Sequence, residues 1–153
     1  MIDRTLLADG SVLLSTPESA SRVQQLAPGV VLCSNVGRGA AEVDLAVMAE
    51  LEQHIERSGS ISVFCDLRSL TRMDPATRET ASLWGKKHYG KVSVHILVTS
   101  KLVELALSVI SMVVGTPIRF YGHEAGFLAA LERQVPGVRS LPVVPLPGAK
   151  RAG

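Results

Sequence analysis

"ISVFCDLRSLTRMDPATRE", residues 61–79, is the stretch on which the fold turns. Ile61 to Cys65 form an apolar run of the length expected for a strand buried on both faces. The run ends in Asp66-Leu67, and a short polar link is expected from Arg68 to Met73. Asp74-Pro75 then opens a helix with two agreeing signals. An aspartate at the N-cap accepts a hydrogen bond from a free amide of the first turn. Proline is favoured at the first helical position, where its missing amide would have had no helical partner anyway. Strand, link and helix in that order are the repeating unit of a parallel α/β sheet.

The same alternation extends in both directions. Upstream, "SRVQQLAPGVVLCSNV" reads as two strands about the turn pair Pro28-Gly29, with Gly37 and Gly39 ending the second. "AAEVDLAVMAELEQHIE" is a helix whose Val43, Val47, Leu51 and Ile55 make one apolar stripe. Its acids, Glu42, Asp44, Glu50, Glu52 and Glu56, read as a solvated face. Downstream of the helix from Pro75 to about Lys87, "KVSVHILVTS" sets Val92, Val94, Ile96 and Val98 on one strand face. A helix from Lys101 to Val114, a strand "PIRFYG" and a helix from His123 to Arg133 complete the pattern. Phe127, Leu128 and Leu131 point that last helix inward. The expected fold is α/β: a mixed, mostly parallel sheet with right-handed crossovers, flanked by about four helices and opening with an antiparallel hairpin. The expected organisation is an N-terminal extension over 1–20, one domain over 21–135 and a flexible Pro/Gly-rich tail over 136–153.

Composition narrows the function classes. At 153 residues, 46% hydrophobic and 20% charged, the chain can bury one core. A formal net charge of +2 gives no footprint for nucleic acid, and 4% aromatic residues give no base-stacking platform. "MIDRTLLADG" carries Asp3 and Asp9 where a secretion signal would be apolar. The longest apolar run, Leu102 to Gly115, contains Glu104 and is shorter than the ~20 residues of a membrane-spanning helix. A cytoplasmic protein without stable membrane insertion is therefore expected. Cys33 and Cys65, both in strand-like runs and with no CxxC spacing, read as small buried thiols.

Catalytic signatures are missing. His54, His88, His95 and His123 have no metal-ligand spacing, and neither HExxH nor the GxSxG nucleophile elbow occurs. "GRG" at 37–39 lacks the full spacing of a phosphate-binding loop. No metal, cofactor or enzyme activity is expected. Asp66, at a strand end, stands where open α/β sheets place ligands, although bonding to loop amides would also account for it. From Leu67 to Lys101 seven basic residues, among them Arg68, Arg72 and Arg78, face two acids, Asp74 and Glu79. They read as solubilising charge or as a basic surface for an acidic partner. Leu102, Leu105 and Val109 belong to a helix apolar on most sides, which calls for deep packing or a second cover. "RSLPVVPLP" in the tail matches a polyproline pattern at Arg139, Leu141, Pro142 and Pro145, and chance accounts for it.

The segment from Val30 to Ala81 resembles the STAS domain, typified by bacterial anti-sigma-factor antagonists. Gly37, Asp66-Leu67 and Asp74 match that pattern in type and spacing, as do "VHILVTS" and "IRFYGHEAGFLAALE" further on. The resemblance covers about residues 21–133, and a looser branch of the superfamily is related to lipid-binding CRAL-TRIO domains. It implies a regulatory module that binds a protein partner. The family's phosphorylatable serine follows the helix-start Asp, and here that position is Pro75, followed by Ala76. Thr71 and Thr77 are near but off the position. The expectation is thus a non-catalytic regulatory or scaffolding module without the usual phospho-switch, binding a protein or a second copy of itself. The alternative is a carrier or sensor of a small hydrophobic ligand or lipid. Candidate binding residues are Asp66, Arg68, Arg72, Asp74, Thr77, Arg78, Leu102, Leu105 and Val109.

Overall fold

The structure is a computed structural model that describes residues 2–114 and 118–145, with the backbone alone at 106 and 109–114. In chain order its elements are β1 (Asp3–Leu6), β2 (Val12–Ser15), β3 (Ser19–Ala27), β4 (Val30–Gly39), α1 (Ala41–Ser58), β5 (Ile61–Met73), α2 (Pro75–Lys87), β6 (Val92–Leu97), α3 (Lys101–Val114), β7 (Ile118–Tyr121) and α4 (Glu124–Gln134). The seven strands form one sheet whose spatial order follows the chain, β1 to β7. β1 to β4 pair antiparallel, and β4 to β7 pair parallel. This is the mixed α/β architecture expected.

Three parallel crossovers step in the same direction, so right-handedness places α1, α2 and α3 on one face. Alternate residues of each strand show the two faces. Val31, Cys33 and Val63 pack with Leu51 and Ile55 of α1. Their neighbours Val30, Leu32 and Phe64 pack with Phe127, Ala130 and Leu131 of α4, on the opposite side. A third cluster joins Leu67, Leu70 and Ile96 of the sheet to Val103 and Leu107 of α3.

The structure departs from the sequence expectations in the length of β5, the opening strands, the acids of α1 and the tail. Residues 68–73 are not a link: β5 continues to Met73, pairing Ser69 with Val36 and Met73 with Gly39 across two register shifts. Leu70, buried on the helical face, holds this extension down. The opening antiparallel part has four strands, because β2 pairs with β3 and the exposed β1 pairs with β2. Glu50 of α1 is buried, not solvated, and accepts a 2.6 Å hydrogen bond from Arg4 Nε. In the tail, Leu141 is buried in the α4-side core, so the polyproline pattern does not present its leucine to a partner.

The glycines of "GRG" have structural explanations. Gly37 has φ 86°, a left-handed conformation glycine adopts without a Cβ clash. At Gly39 a Cβ would come within 2.8 Å of the carbonyl oxygen of Arg72. The two long strands therefore close up at this end only because the side chain is absent.

Candidate functional site

The end of the sheet where β4 and β5 stop carries the predicted residues, but divides them between the two faces. Asp66 lies on the α4 face and is buried. Its carboxylate accepts from Arg68 Nε at 3.0 Å, from Arg68 Nη2 at 2.9 Å and from the Arg68 backbone N–H at 3.2 Å. Arg68 Nη1 also reaches Glu124 Oε2, 3.0 Å away at the start of α4. These contacts raise the Arg68 pKa above its ordinary value. Asp66 and Arg68 thus form a self-satisfied clasp between β5 and α4. Glu124 lies in the motif stretch "IRFYGHEAGFLAALE", but nothing in the sequence pointed to its pairing with Arg68, 56 residues away.

Asp74 and Thr77 belong to the helical face. Asp74 caps α2, its Oδ1 accepting from the Ala76 backbone N–H at 3.0 Å, with Pro75 at the helix start. Its own N–H donates to the carbonyl of Gly39 at 3.1 Å, tying the cap to the end of β4. One turn into α2 the buried Thr77 donates its hydroxyl to Asp44 Oδ2 of α1 at 2.7 Å. Burial of the Asp44 carboxyl raises its pKa to about 6, and the negative charge of Asp74 acts in the same sense; the Thr77 hydrogen bond opposes them. Asp44 thus departs from the solvated face expected of the α1 acids, because α2 packs over it. A sign of its role was present, because it stands three and four residues before Val47 and Met48, at the edge of the apolar stripe.

Asp44 and Thr77 border a cavity of about 200 Å³ between the sheet and the α1–α3 layer. Val63, Cys65 and Ile96 line it from the sheet, and Leu51, Ala81 and Trp84 from the helices. Among the described lining residues Asp44 is the one with a charged side chain. Trp84 Nε1 is buried without a hydrogen-bond partner at this wall. Cys33 and Cys65, opposite one another on β4 and β5, are free thiols that also line it. Hydrogen bonding to Cys65 and burial push the Cys33 thiol well above its ordinary pKa.

The remaining candidates lie on the outer surface. Arg72 and Arg78 are exposed. The basic stretch is partly neutralised: besides Arg68, Lys87 pairs with Glu52 at 3.3 Å and Lys101 with Glu104 at 3.2 Å. Leu102 and Leu105 of α3 are 82% and 66% exposed, while Val103 and Leu107 are buried. The side chain of Val109 lies outside the described residues. Of the histidines, His95 stacks on Phe64 with ring centroids 4.3 Å apart and places Nδ1 2.8 Å from Tyr121 Oη. Among the described residues no three His, Cys, Asp or Glu side chains are grouped to hold a metal ion. No helix of the described residues is long and apolar enough to cross a membrane.

Two solved structures share this architecture. One is an uncharacterised protein of the DUF3478 family with a SpoIIAA-like fold from Shewanella loihica, at TM-score 0.56 and 17% identity, over 74% of this chain and 94% of that one. Another is an anti-sigma factor antagonist from Mycobacterium paratuberculosis, at TM-score 0.54 and 12% identity, over 77% of this chain and 97% of that one. No family model matches the chain, and no curated protein matches it. The chain folds as a STAS-like domain, the fold its sequence motifs suggested.

Proposed function

We propose that the protein is a non-catalytic cytoplasmic module that regulates or scaffolds by binding protein, through the α2–α3 side of the domain. The observation that carries this reading is the pair Leu102 and Leu105, three residues apart on α3 and largely in solvent. Two leucines side by side in solvent, on a helix apolar on most sides, are a surface in want of a cover. A second copy of the chain is the first occupant to test, since closed homodimers are the commonest assemblies. Resemblance to an anti-sigma factor antagonist supports a protein partner over an enzyme activity. A serine phospho-switch is left out, because Pro75 has no hydroxyl and Thr77, the nearest α2 hydroxyl, is buried on Asp44. In size-exclusion chromatography with light scattering, the wild type at tens of micromolar is expected as a dimer, with an interface of roughly 1,200–2,000 Å² in total. Leu105→Glu is expected as a monomer with unchanged circular dichroism. A monomeric wild type overturns self-association.

A second reading, carriage or sensing of a small hydrophobic ligand, is supported by the cavity. Its volume of about 200 Å³ exceeds the ~150 Å³ that holds benzene in an engineered core and falls below the ~300 Å³ of ordinary small-molecule pockets. That size suits one ring or a short chain, and not a long-chain lipid.

A further inference from the structure

We infer that the cavity between α1, α2 and the sheet is a binding site for a small apolar amine, its ring or short chain among Leu51, Val63 and Trp84 and its ammonium group on Asp44. The inference rests on the small-ligand reading above and adds the head group. Pockets of this kind bind through apolar walls and orient through a few placed polar groups. Here the lining is almost wholly apolar, and among its described residues the single charge is a carboxylate. Thr77 holds that carboxylate at 2.7 Å from the α2 side, so its position is fixed before any ligand arrives. No ion pair to a lysine or arginine is formed by Asp44 among the described residues.

The electrostatics agree with the geometry. A carboxylate in an apolar site without a counter-charge is costly. Asp74, the charged group acting on Asp44 from α2, adds to that cost. A cation offsets both terms, whereas a ligand carboxylate would add a third negative charge. A plain hydrocarbon fills the space and leaves the carboxylate as it was. The site therefore selects for positive charge by what it already lacks.

Trp84 is the chain's single tryptophan and lies in the cavity wall, so its emission reports occupancy directly. The test titrates the full chain at pH 7.5 with 2-phenylethylamine and with propylbenzene, followed by Trp84 fluorescence and calorimetry. The amine is expected to saturate and to bind at least tenfold tighter than the hydrocarbon. Asp44→Asn is expected to remove that preference and leave propylbenzene binding unchanged. If neither compound gives a saturable response at millimolar concentration, the small-ligand reading and the inference both fall. Equal binding of the two, or amine binding indifferent to Asp44→Asn, overturns the amine site alone. Should Asp44→Asn not fold, nuclear Overhauser contacts in the wild-type complex decide. Contacts from the ring protons to the methyls of Leu51 and Val63 support the site, and contacts confined to the outer surface refute it.

Discussion

On the α4 face of the sheet, Phe64, Leu97, Phe127 and Leu131 are closed off from solvent. On the α1–α3 face the same strands border a cavity with a carboxyl group in its wall. The α4 face is knit by aromatic geometry: Phe64 meets Phe127 edge-on at 5.6 Å, and Tyr121 meets Phe127 the same way at 5.8 Å. Most of its polar groups satisfy one another, Asp66 with Arg68 and His95 with Tyr121, although Ser34 Oγ beside Asp66 is buried without a partner. The opposite face, with an orphaned indole N–H of its own, also carries a partly buried carboxyl of raised pKa and two exposed leucines. Sites that depart from good packing and full hydrogen bonding are where proteins concentrate function. We propose on this contrast that the α4 face serves stability and the helical face recognition.

The contrast breaks first if the α4 face proves soft. Phe127→Ala removes a ring that is wholly buried between Phe64 and Tyr121. It is expected to cost about 3–5 kcal/mol, as large aromatic truncations in cores do. Urea unfolding followed by circular dichroism measures this. A loss under about 2 kcal/mol would mean that the α4 face relaxes easily, and the division between the faces would fail.

The two faces also differ in how they respond to pH. Asp44 has a folded pKa of about 6 against an ordinary 3.8. Below the lower value both states are protonated and burial carries no penalty. As the pH rises through the folded value the penalty is complete, about 2–3 kcal/mol. His95 behaves oppositely. Burial, with help from Arg119 and Arg133, holds its pKa below the ordinary 6.5. Its contribution is present above that value and fades as the pH falls below it. Subtracting one stability curve from another isolates the helical face. Asp44→Asn is expected to be more stable than wild type by about 1–2 kcal/mol at pH 7.5, the amide giving back part of the gain because it too needs partners. The advantage should vanish by about pH 4. A difference independent of pH would show that Asp44 is solvated.

The layered architecture was legible because periodicity speaks locally. The stripe of α1, the run "ISVFC" and the Asp74-Pro75 start each needed only neighbouring residues. What escaped depends on contacts between distant segments. β1 has no buried side chain and so no alternation to read. The extension of β5 is fixed by its pairing with β4 beyond residue 66, where its own sequence turns polar. Asp44 and Thr77 are 33 residues apart, and their bond exists only because α1 and α2 pack side by side. Leu102 and Leu105 illustrate the same limit from the surface. The sequence showed an apolar helix, but which of its sides the neighbours cover is settled by α2 and the sheet.

The smallest expected effect sharpens the comparison most, because it falls where the cap and the cavity meet. Asp74 both caps α2 and raises the pKa of Asp44. Asp74→Ala loses the hydrogen bond to the Ala76 amide, a loss of ~1 kcal/mol for a helix cap. It also removes a negative charge that disfavours ionised Asp44, so the net loss at pH 7.5 should be below that of an isolated cap. Asp74→Asn keeps a capping oxygen and removes only the charge. It is expected to be neutral or slightly stabilising at pH 7.5 and to lower the Asp44 pKa, read from the side-chain carboxyl carbon by NMR titration. The two substitutions share a partner, so their effects with Asp44→Asn should not add. In the Asp44→Asn background, Asp74→Ala should show the full cost of the cap and Asp74→Asn almost none. Simple additivity of Asp74→Ala with Asp44→Asn would mean that the two carboxylates do not sense one another. The helix start would then be a structural joint alone, with no part in the cavity beside it.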